Sequence, residues 1–498
     1  MRSFLLLMIC VVCNVMIAHA QKDIKNSILR DPADYHYIDF ANYPRKDAAL
    51  PIGVFDSGTG GLTVFDAIVR FDEYNNQTGA KGHDGVKDFS TEDFIYLADQ
   101  ANMPYGNYSS VGKTDFLKEL ILKDAQFMLG SKYYQNTTLS TDKKPIKALV
   151  IACNTATAYG KEYIEEMLRE AKSDIKVIGV IDAGSRGALE LFKKDENGTI
   201  GVFATAGTVT SGGYKRAIER YKKELGYSGN IQVFSQGGVG LAEAIDEELN
   251  YIDKKAVEVR PIYRGPNVKT EASLKIDRQL MKIYNFDFSA YKMLCDAKRV
   301  DDCGDLQINS AENYVRYHLV TLLEQMLRNP EVEPMKAMIL GCTHYPYMTQ
   351  TIQQVLAELR NYKEKGKFRY RRLLAKDITL VDPSVNTARE LYAYLQAEKL
   401  TNSAGSLQNS EFFISVPNTS LPGVGLEPDG TRFTYDYKYG RQVGQGVQYT
   451  LTAPFSRQNI PASIAERLNL QIPEVYKLIQ VFEKQSPKTR FLRSDERL

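Results

Sequence analysis

The pattern that most constrains the fold is an alternation of short apolar, β-rich runs with helical patterns between residues 52 and 395. Such alternation predicts an α/β protein with parallel sheets covered by helices on both faces. In sheets of this kind, ligands bind at the carboxyl ends of the strands. The predicted strands are Ile52–Phe55, Phe94–Ala98, Ile146–Ala152, Val177–Ile181, Ile200–Phe203, Ile231–Phe234, Met335–Leu340 and Ile378–Val381, and the predicted helices are Phe116–Leu129, Thr155–Ala171, Tyr214–Leu225 and Ile352–Leu359.

Two pairs of segments recur in the same order in the two halves of this region. "IGVFDSGTGG" begins at Ile52 and "IGVFATAGTVTSGG" at Ile200, while "KALVIACNT" begins at Lys147 and "KAMILGCTH" at Lys336. A chance likeness is the alternative, but two matched pairs favour an internal repeat. The repeat predicts two pseudo-symmetric, doubly wound parallel-sheet domains with the active site in the cleft between them, plus a C-terminal extension.

The domain organisation follows from these segments and from shifts in composition. The segment 250–305 is polar and predicts an insertion in the second half, and the alternating aromatic and β-branched residues of "RFTYDYKYGRQVGQGVQYTLTA" predict a hairpin in the C-terminal extension. A short helix is expected near Val475–Lys484. The predicted parts are an N-terminal segment 1–20, an N-terminal extension 21–51, a first domain 52–180, a second domain 181–377, a return to the first domain 378–399 and the extension 400–498.

The first twenty residues have the pattern of a secretory signal peptide. Arg2 precedes an apolar run from Phe4 to Ile17, and "AHA" before Gln21 has the small-x-small form of a cleavage site. A retained anchor is the alternative, but the run is shorter than the ~20 apolar residues that a membrane-spanning helix needs. We therefore expect cleavage after Ala20, a periplasmic or secreted protein and no membrane span in the mature chain.

Composition bears on which partners to expect, and cysteine content bears on which thiols pair. The 498 residues carry a formal net charge of only +2, which gives no reason to expect a nucleic-acid partner. Of the cysteines that would remain after cleavage, Cys295 and Cys303 lie in a polar stretch, and outside the cytosol such thiols tend to pair. The sequence thus predicts a local disulfide there, with Cys153 and Cys342 free.

The glycine-rich loop "DSGTGG", residues 56–61, follows a strand and opens a helix. Glycines expose backbone N–H groups at a helix N-terminus, which favours an anion. Because neither a P-loop nor a dinucleotide-binding spacing is present, a small carboxylate fits better than a nucleotide phosphate. An ordinary strand–helix turn is the alternative.

Cys153 and Cys342 each follow a buried strand at a predicted helix start, where the helix N-terminus can lower the pKa of a thiol. A buried structural cysteine is the alternative for either one alone. If the two halves are related by a pseudo-twofold axis, both thiols face one cleft from opposite sides. That arrangement suits a reaction with a base on one face of a carbon and an acid on the other.

Four segments resemble the signature segments of glutamate racemases, in the cofactor-independent aspartate/glutamate racemase family. They are "IGVFDSGTGGLTV", "YLADQANMPYG", "IACNTATA" and "ILGCTHYP", and the resemblance covers residues 52–395. It implies interconversion of L- and D-glutamate, or of similar acidic amino acids, with no cofactor and no metal. The signal peptide, the insertion and the C-terminal extension lie outside it.

The resemblance also implies roles for individual residues. Cys153 and Cys342 would be the acid/base thiols, with Cys153 serving the D-isomer and Cys342 the L-isomer, and Asp56 and His344 would polarise or position them. The residues expected to hold the carboxylates and the amine of a small amino-acid substrate are Ser57, Pro104, Tyr105, Gly106, Asn154, Thr155, Thr208 and Thr343. A second copy of the chain is the candidate protein partner.

The sequence departs from the family pattern in two ways. Two segments differ in residues that bear on substrate identity, and the signal-peptide pattern implies a different compartment. Gln100, Ala101 and Asn102 stand where these racemases usually have Thr-Ala-Arg, and "SQGGVG" stands in place of a Cys-Pro segment. Export does not suit the family's usual supply of D-glutamate for peptidoglycan precursors in the cytoplasm. The alternatives are a zinc site formed by Cys153, Cys342 and His344, a cysteine hydrolase using Cys342 and His344, and an exported amino-acid-binding protein without catalysis.

Overall fold

The computed structural model of the protein describes residues 23–269 and 274–498. The predicted signal peptide therefore lies outside the described residues. Along the described residues, the strands are β1 (Ile52–Asp56), β2 (Phe94–Ala98), β3 (Tyr133–Gln135), β4 (Thr138–Ser140), β5 (Ala148–Ile151), β6 (Lys176–Gly179), β7 (Gly198–Ala204), β8 (Ile231–Gly237), β9 (Met293–Cys295), β10 (Leu306–Ile308), β11 (Met335–Gly341), β12 (Lys363–Glu364), β13 (Lys367–Phe368), β14 (Leu374–Val381), β15 (Glu411–Pro417) and β16 (Thr450–Pro454).

Helices connect most of these strands. They are α1 (Ile24–Arg30), α2 (Leu62–Val69), α3 (Gly106–Ser110), α4 (Thr114–Leu129), α5 (Asn154–Glu170), α6 (Val180–Leu189), α7 (Ala206–Ser211), α8 (Gly213–Glu224), α9 (Leu241–Ile245), α10 (Met281–Tyr284), α11 (Ala311–Leu327), α12 (Thr349–Asn361), α13 (Ser384–Glu398), α14 (Tyr435–Gly440), α15 (Ala462–Gln471) and α16 (Pro473–Gln485). The predicted α/β class is confirmed, and each predicted strand and helix overlaps an observed one.

Two sheets organise the molecule. The first has the strand order β16-β15-β2-β1-β5-β6 and the second the order β14-β11-β7-β8. Pairing is parallel throughout the second sheet and, in the first, everywhere except between β15 and β16. The strands of the predicted repeat are equivalent in position, because β1 lies beside β5 and β7 lies beside β11. Each thiol thus follows the second strand of a matched pair.

The return of the chain to the first domain comes later than predicted. Residues 374–381 form β14, which pairs in parallel with β11, with Ile339 opposite Val381. The prediction that the return begins at residue 378 is therefore wrong, because this strand completes the second sheet. The return is made by α13, which packs against α2 and contributes Leu391 and Leu395 to the core of the first domain.

The C-terminal extension is built into the first domain. Strand β15 pairs with β2, and Phe412 and Phe413 on β15 are fully buried in the core of that domain. The predicted hairpin is wrong, because residues 435–440 form α14 and β16 pairs with β15. The helix is favoured by the Thr434 side chain, which accepts a hydrogen bond from the Tyr437 N–H. The predicted helix near 475–484 is confirmed as α16.

The predicted insertion packs onto the second domain. Ile276, Ile283 and Tyr284 belong to the same core as strand β11 and helix α11. The predicted disulfide between Cys295 and Cys303 is present, with the two Cα atoms 5.6 Å apart, whereas Cys153 and Cys342 are free. Among residues 23–269 and 274–498, no helix is both long enough and apolar enough to cross a membrane.

Candidate active site

Cys153 and Cys342 line one small cavity between the two domains, at the carboxyl ends of β5 and β11. Its volume is about 20 Å³, which is room for roughly one water molecule. Apart from the two thiols, its lining consists of Ser57, Met103, Pro104, Tyr105, Gly106, Asn154, Thr155, Thr205, Ala242, Thr343 and His344. A molecule of amino-acid size can enter only if the cleft opens.

Cys153 is the N-cap of α5. Its sulfur accepts a hydrogen bond from the Ala156 N–H at 3.4 Å, and the thiol lies 3.6 Å from the Ser57 hydroxyl oxygen. Burial, followed by the charge of Asp56, raises the pKa of this thiol far above its usual value. The Ala156 N–H at the start of α5 lowers the pKa of Cys153, as expected for a helix N-terminus, but burial outweighs it and the residue holds its proton.

Cys342 has different surroundings. A 3-10 turn, Tyr345–Met348, follows it in place of a helix start, so the prediction of a helix N-terminus at this thiol is wrong. The Nδ1 atom of His344 lies 3.7 Å from the Cys342 sulfur. The other ring nitrogen, Nε2, is 3.1 Å from Oδ2 of Asp246.

The charge on His344 is set by Asp246. Burial disfavours the protonated ring, but the Asp246 carboxylate outweighs burial and raises the pKa of His344 well above its usual value. The pKa of Asp246 in turn lies far below its usual value: burial opposes the charge, and His344 and Arg467 outweigh it. Cys342 therefore faces a positively charged imidazole, whereas Cys153 faces neutral groups and a carboxylate.

Asp56 lies at the end of β1 and does not contact either sulfur through a hydrogen bond within the described part of the chain. Its Oδ2 atom accepts hydrogen bonds from the N–H groups of Gly58 at 3.1 Å and Gly61 at 2.9 Å. The Thr343 hydroxyl, from the second domain, donates to the same carboxylate at 3.3 Å. Burial raises the pKa of Asp56 despite these donors.

Hydroxyl and amide groups from both domains meet at the cavity. Thr155 on α5 lies 2.8 Å from Thr205 and 3.0 Å from Thr208, oxygen to oxygen, so three hydroxyls form a triangle across the cleft. The Tyr214 hydroxyl donates to the side-chain oxygen of Asn154. This bond leaves the Asn154 NH₂ group free to face a ligand carboxylate.

The curated proteins most similar to the chain include several glutamate racemases. The chain is 27% identical over 362 residues to the glutamate racemase of Oceanobacillus iheyensis, covering 73% of this chain and 85% of the relative. It is 25% identical to that of Clostridium novyi, covering 74% and 92%, and 33% identical over 210 residues to that of Persephonella marina, covering 42% and 61%. Over about three quarters of its length the chain is similar to glutamate racemases.

The chain is also similar to solved structures. A solved glutamate racemase of Bacillus anthracis is 22% identical, with 73% of this chain and 86% of that chain covered and a TM-score of 0.40. The one from Francisella tularensis, solved with D-glutamate, is 22% identical, with 74% and 88% covered and a TM-score of 0.40. No protein-family model matches the chain.

In this racemase-like chain, the residues expected from the sequence do not all reach the cavity. Asp56 and Thr208 lie one contact behind it, through Thr343 and Thr155 respectively. Tyr105 lines the cavity, but its hydroxyl is hydrogen-bonded to the carboxyl groups of Asp99 and Asp124. The other expected residues, Cys153, Cys342, His344, Ser57, Pro104, Gly106, Asn154, Thr155 and Thr343, line the cavity directly.

Several residues of the site were not predicted from the sequence. Met103, Thr205 and Ala242 line the cavity, and Asp246 and Arg467 stand behind His344. Thr205 could have been found, since it lies in the second glycine-rich loop, three residues before Thr208. Asp246 lies in an acid-rich stretch and Arg467 lies in a helix of the extension, where nothing in the local pattern distinguishes them from solvated charges.

Proposed function

We propose that this protein interconverts L- and D-glutamate, or a closely similar acidic amino acid, by transferring a proton between Cys153 and Cys342. The observation that carries the proposal is that two reduced thiols from matched positions in the two domains line one cavity. Each thiol serves one face of the α-carbon. The similarity to glutamate racemases supports the reaction type, and the names of these relatives support glutamate as the substrate.

The charged groups around the two thiols differ. Burial and Asp56 keep the proton on Cys153, so Cys153 is ready to act as the acid. The imidazolium of His344 next to Cys342 stabilises negative charge at that sulfur. The resting site is thus prepared for the isomer whose α-proton points at Cys342, which the family resemblance identifies as the L-isomer.

In one turnover, the Cys342 thiolate removes the α-proton and becomes a thiol. Electron density from the broken C–H bond moves into the α-carboxylate, and Cys153 donates its proton to the opposite face of the same carbon. The product is the D-isomer, with Cys153 now a thiolate and Cys342 a thiol. The reverse turnover begins from that state, so no oxidant or reductant is consumed.

The negative charge that develops on the substrate carboxylate needs preformed donors. Ser57 and Thr155 bring hydroxyl groups to the cavity. The Asn154 NH₂ group joins them, held in orientation by Tyr214. Because these donors are fixed in a buried site, they stabilise the developing charge without reorganising at the moment of transfer.

The test is solvent exchange at the α-carbon. The purified protein is incubated with L-glutamate or D-glutamate in D₂O, with L-aspartate as a related acid and L-alanine as a substrate lacking the second carboxylate. Incorporation of α-deuterium and loss of circular dichroism are followed together. Exchange and racemisation of glutamate are expected; binding of glutamate without either would favour an amino-acid-binding protein and overturn the proposal.

We propose further that the protein is exported and acts on amino acids outside the cytoplasm. The motive is the signal-peptide pattern of residues 1–20, and the Cys295–Cys303 disulfide fits an oxidising compartment. Sequencing the N-terminus of the native protein should give Gln21. An intact Met1 on cytosolic protein would contradict export and would suit a role in wall-precursor synthesis.

A further inference from the structure

Helix α15 of the C-terminal extension places a cation next to the active-site histidine. Ile464 and Leu468 anchor this helix in the core of the first domain. Arg467, between them on the helix, reaches across to the second domain. Its Nη2 atom is 2.8 Å from Oδ1 of Asp246, and its Nη1 atom donates to the Ile245 carbonyl oxygen.

Both oxygens of Asp246 are therefore engaged. Oδ1 binds Arg467 and Oδ2 binds His344 at 3.1 Å, and His344 in turn lies 3.7 Å from the Cys342 sulfur. The Asp246 and His344 side chains are each only 3% exposed, so this chain of contacts is shielded from water. Removing one cationic partner of a buried carboxylate weakens the stabilisation of its charge and leaves one of its oxygens without that partner.

The position of Arg467 is fixed by more than the ion pair. Its guanidinium lies 4.7 Å from the centre of the Tyr347 ring, in the turn that follows Cys342. The side chain is only 14% exposed. Arg467 does not line the cavity of the two thiols. It contacts Asp246 and the turn that follows Cys342, but it would not contact a ligand in the cavity.

We infer that Arg467 is a positioning residue for the Cys342 half-reaction, supplied by the C-terminal extension and acting through Asp246 and His344. The inference rests on the proposed function. Among the residues that the structure describes, Cys153 forms no hydrogen bond with Arg467, Asp246 or His344; its polar partners are Ser57 and the Ala156 N–H. Loss of Arg467 should therefore impair one thiol and spare the other.

Racemisation alone cannot show this asymmetry, because each turnover uses both thiols. Elimination from a β-chloro amino acid can, because it needs only one base. The thiolate removes the α-proton, the electron pair forms the Cα–Cβ double bond and chloride leaves; the resulting enamine hydrolyses to a keto acid and ammonium. The L- and D-isomers of the β-chloro substrate thus report Cys342 and Cys153 separately.

The experiment compares wild type with Arg467→Met, Arg467→Lys and a matched control, Arg493→Met. Arg493 is a largely exposed arginine of the same extension whose partners are the neighbouring Asp495 and Glu496. For Arg467→Met we expect elimination from the L-isomer to fall about 10- to 100-fold, as when a supporting partner of a functional histidine is removed. Elimination from the D-isomer should stay within about two-fold, racemisation should fall in both directions, and Arg493→Met should match wild type.

The ratio of L- to D-elimination separates positioning from a general folding defect. A defect that lowers the folded fraction reduces both eliminations equally and leaves the ratio unchanged. Arg467→Lys keeps the charge, and we expect it to restore part of the L-elimination. An unchanged ratio in Arg467→Met and Arg467→Lys, or a selective loss of D-elimination, would overturn the inference. Absence of exchange and elimination in wild type would instead overturn the proposed function.

Discussion

The Thr343 hydroxyl donates to the Asp56 carboxylate at 3.3 Å, joining the end of β1 in the first domain to the residue after Cys342 in the second. This contact closes the cleft at the base of the cavity. Among the described residues, Thr343 is the only residue of the second domain that donates a hydrogen bond to the buried Asp56 carboxylate. The stability of the closed form therefore depends in part on this bond.

Replacing Thr343 with valine removes the hydroxyl while keeping the shape. We expect the free energy of unfolding to fall by about 1 kcal/mol, the usual net value of one hydrogen bond. Urea denaturation followed by tyrosine fluorescence measures it. Thr343→Ser keeps the donor and serves as the control; equal losses in the two variants would show that the bond to Asp56 does not contribute.

Removing the charge of Asp56 should make Cys153 more reactive. Asparagine can accept the Gly58 and Gly61 N–H bonds with its side-chain oxygen, so the loop is kept and only the charge is lost. Because the Asp56 carboxylate contributes to raising the pKa of Cys153, alkylation of Cys153 in Asp56→Asn should begin at lower pH. The measurement is the iodoacetamide rate against pH in a Cys342→Ser background; an unchanged profile would contradict it.

The two thiols should be individually essential for racemisation. Cys153→Ser and Cys342→Ser should each lose about 10²–10⁴-fold in rate, the range for removal of a general acid or base. Each variant should still eliminate chloride from one enantiomer of a β-chloro substrate, because elimination needs one base. Racemisation by both variants at near wild-type rates would rule out the two-thiol mechanism.

Reducing the Cys295–Cys303 disulfide should lower stability without abolishing activity. The bridge spans eight positions, and closing so short a loop contributes about 2 kcal/mol in the chain-entropy description. Cys295→Ser/Cys303→Ser should therefore unfold at a lower temperature than wild type in calorimetry but racemise at a similar rate. Mass mapping after alkylation of unfolded, unreduced protein should label Cys153 and Cys342 only.

Stability should depend on pH through Glu483 in α16. Burial raises the pKa of Glu483 from 4.5 to about 7. Because the folded state holds this proton more tightly than the unfolded state, the contribution of Glu483 is full below pH 4.5 and is lost as pH rises through 7. The melting temperature of Glu483→Gln, taken relative to that of wild type, should therefore be higher at pH 8 than at pH 4.5.

The sequence could predict features that depend on local pattern. The strand before Cys153 is a run of apolar residues, so its burial can be predicted without knowing its neighbours. Cys295 and Cys303 are close along the chain, so their pairing can be predicted without knowing the fold. The other site residues follow from the resemblance of the motifs around them to those of glutamate racemases. Their location at strand ends follows from the parallel topology.

What the sequence could not predict depends on contacts between distant segments. Arg467 and Asp246 are 221 positions apart, so only the folded chain shows that they pair. The segment 435–440 alternates like a strand, yet capping by Thr434 and packing of Tyr435 on Tyr439, with ring centres 4.6 Å apart, favour a helix. The pKa of Cys153 depends on how completely the cleft closes over it, which no local pattern encodes.

The pairing of β15 with β2 has a consequence for how this chain can be shortened. In the order β16-β15-β2-β1, strand β2 would be the edge of the sheet if the residues after 399 were absent. A protein cut at that point would present unpaired N–H and C=O groups along β2 beside the apolar surface that Phe412 and Phe413 now cover. Exposed edges of this kind recruit strands from other molecules. Trimming the chain to the length of the family resemblance should therefore give an aggregating protein, not a minimal enzyme.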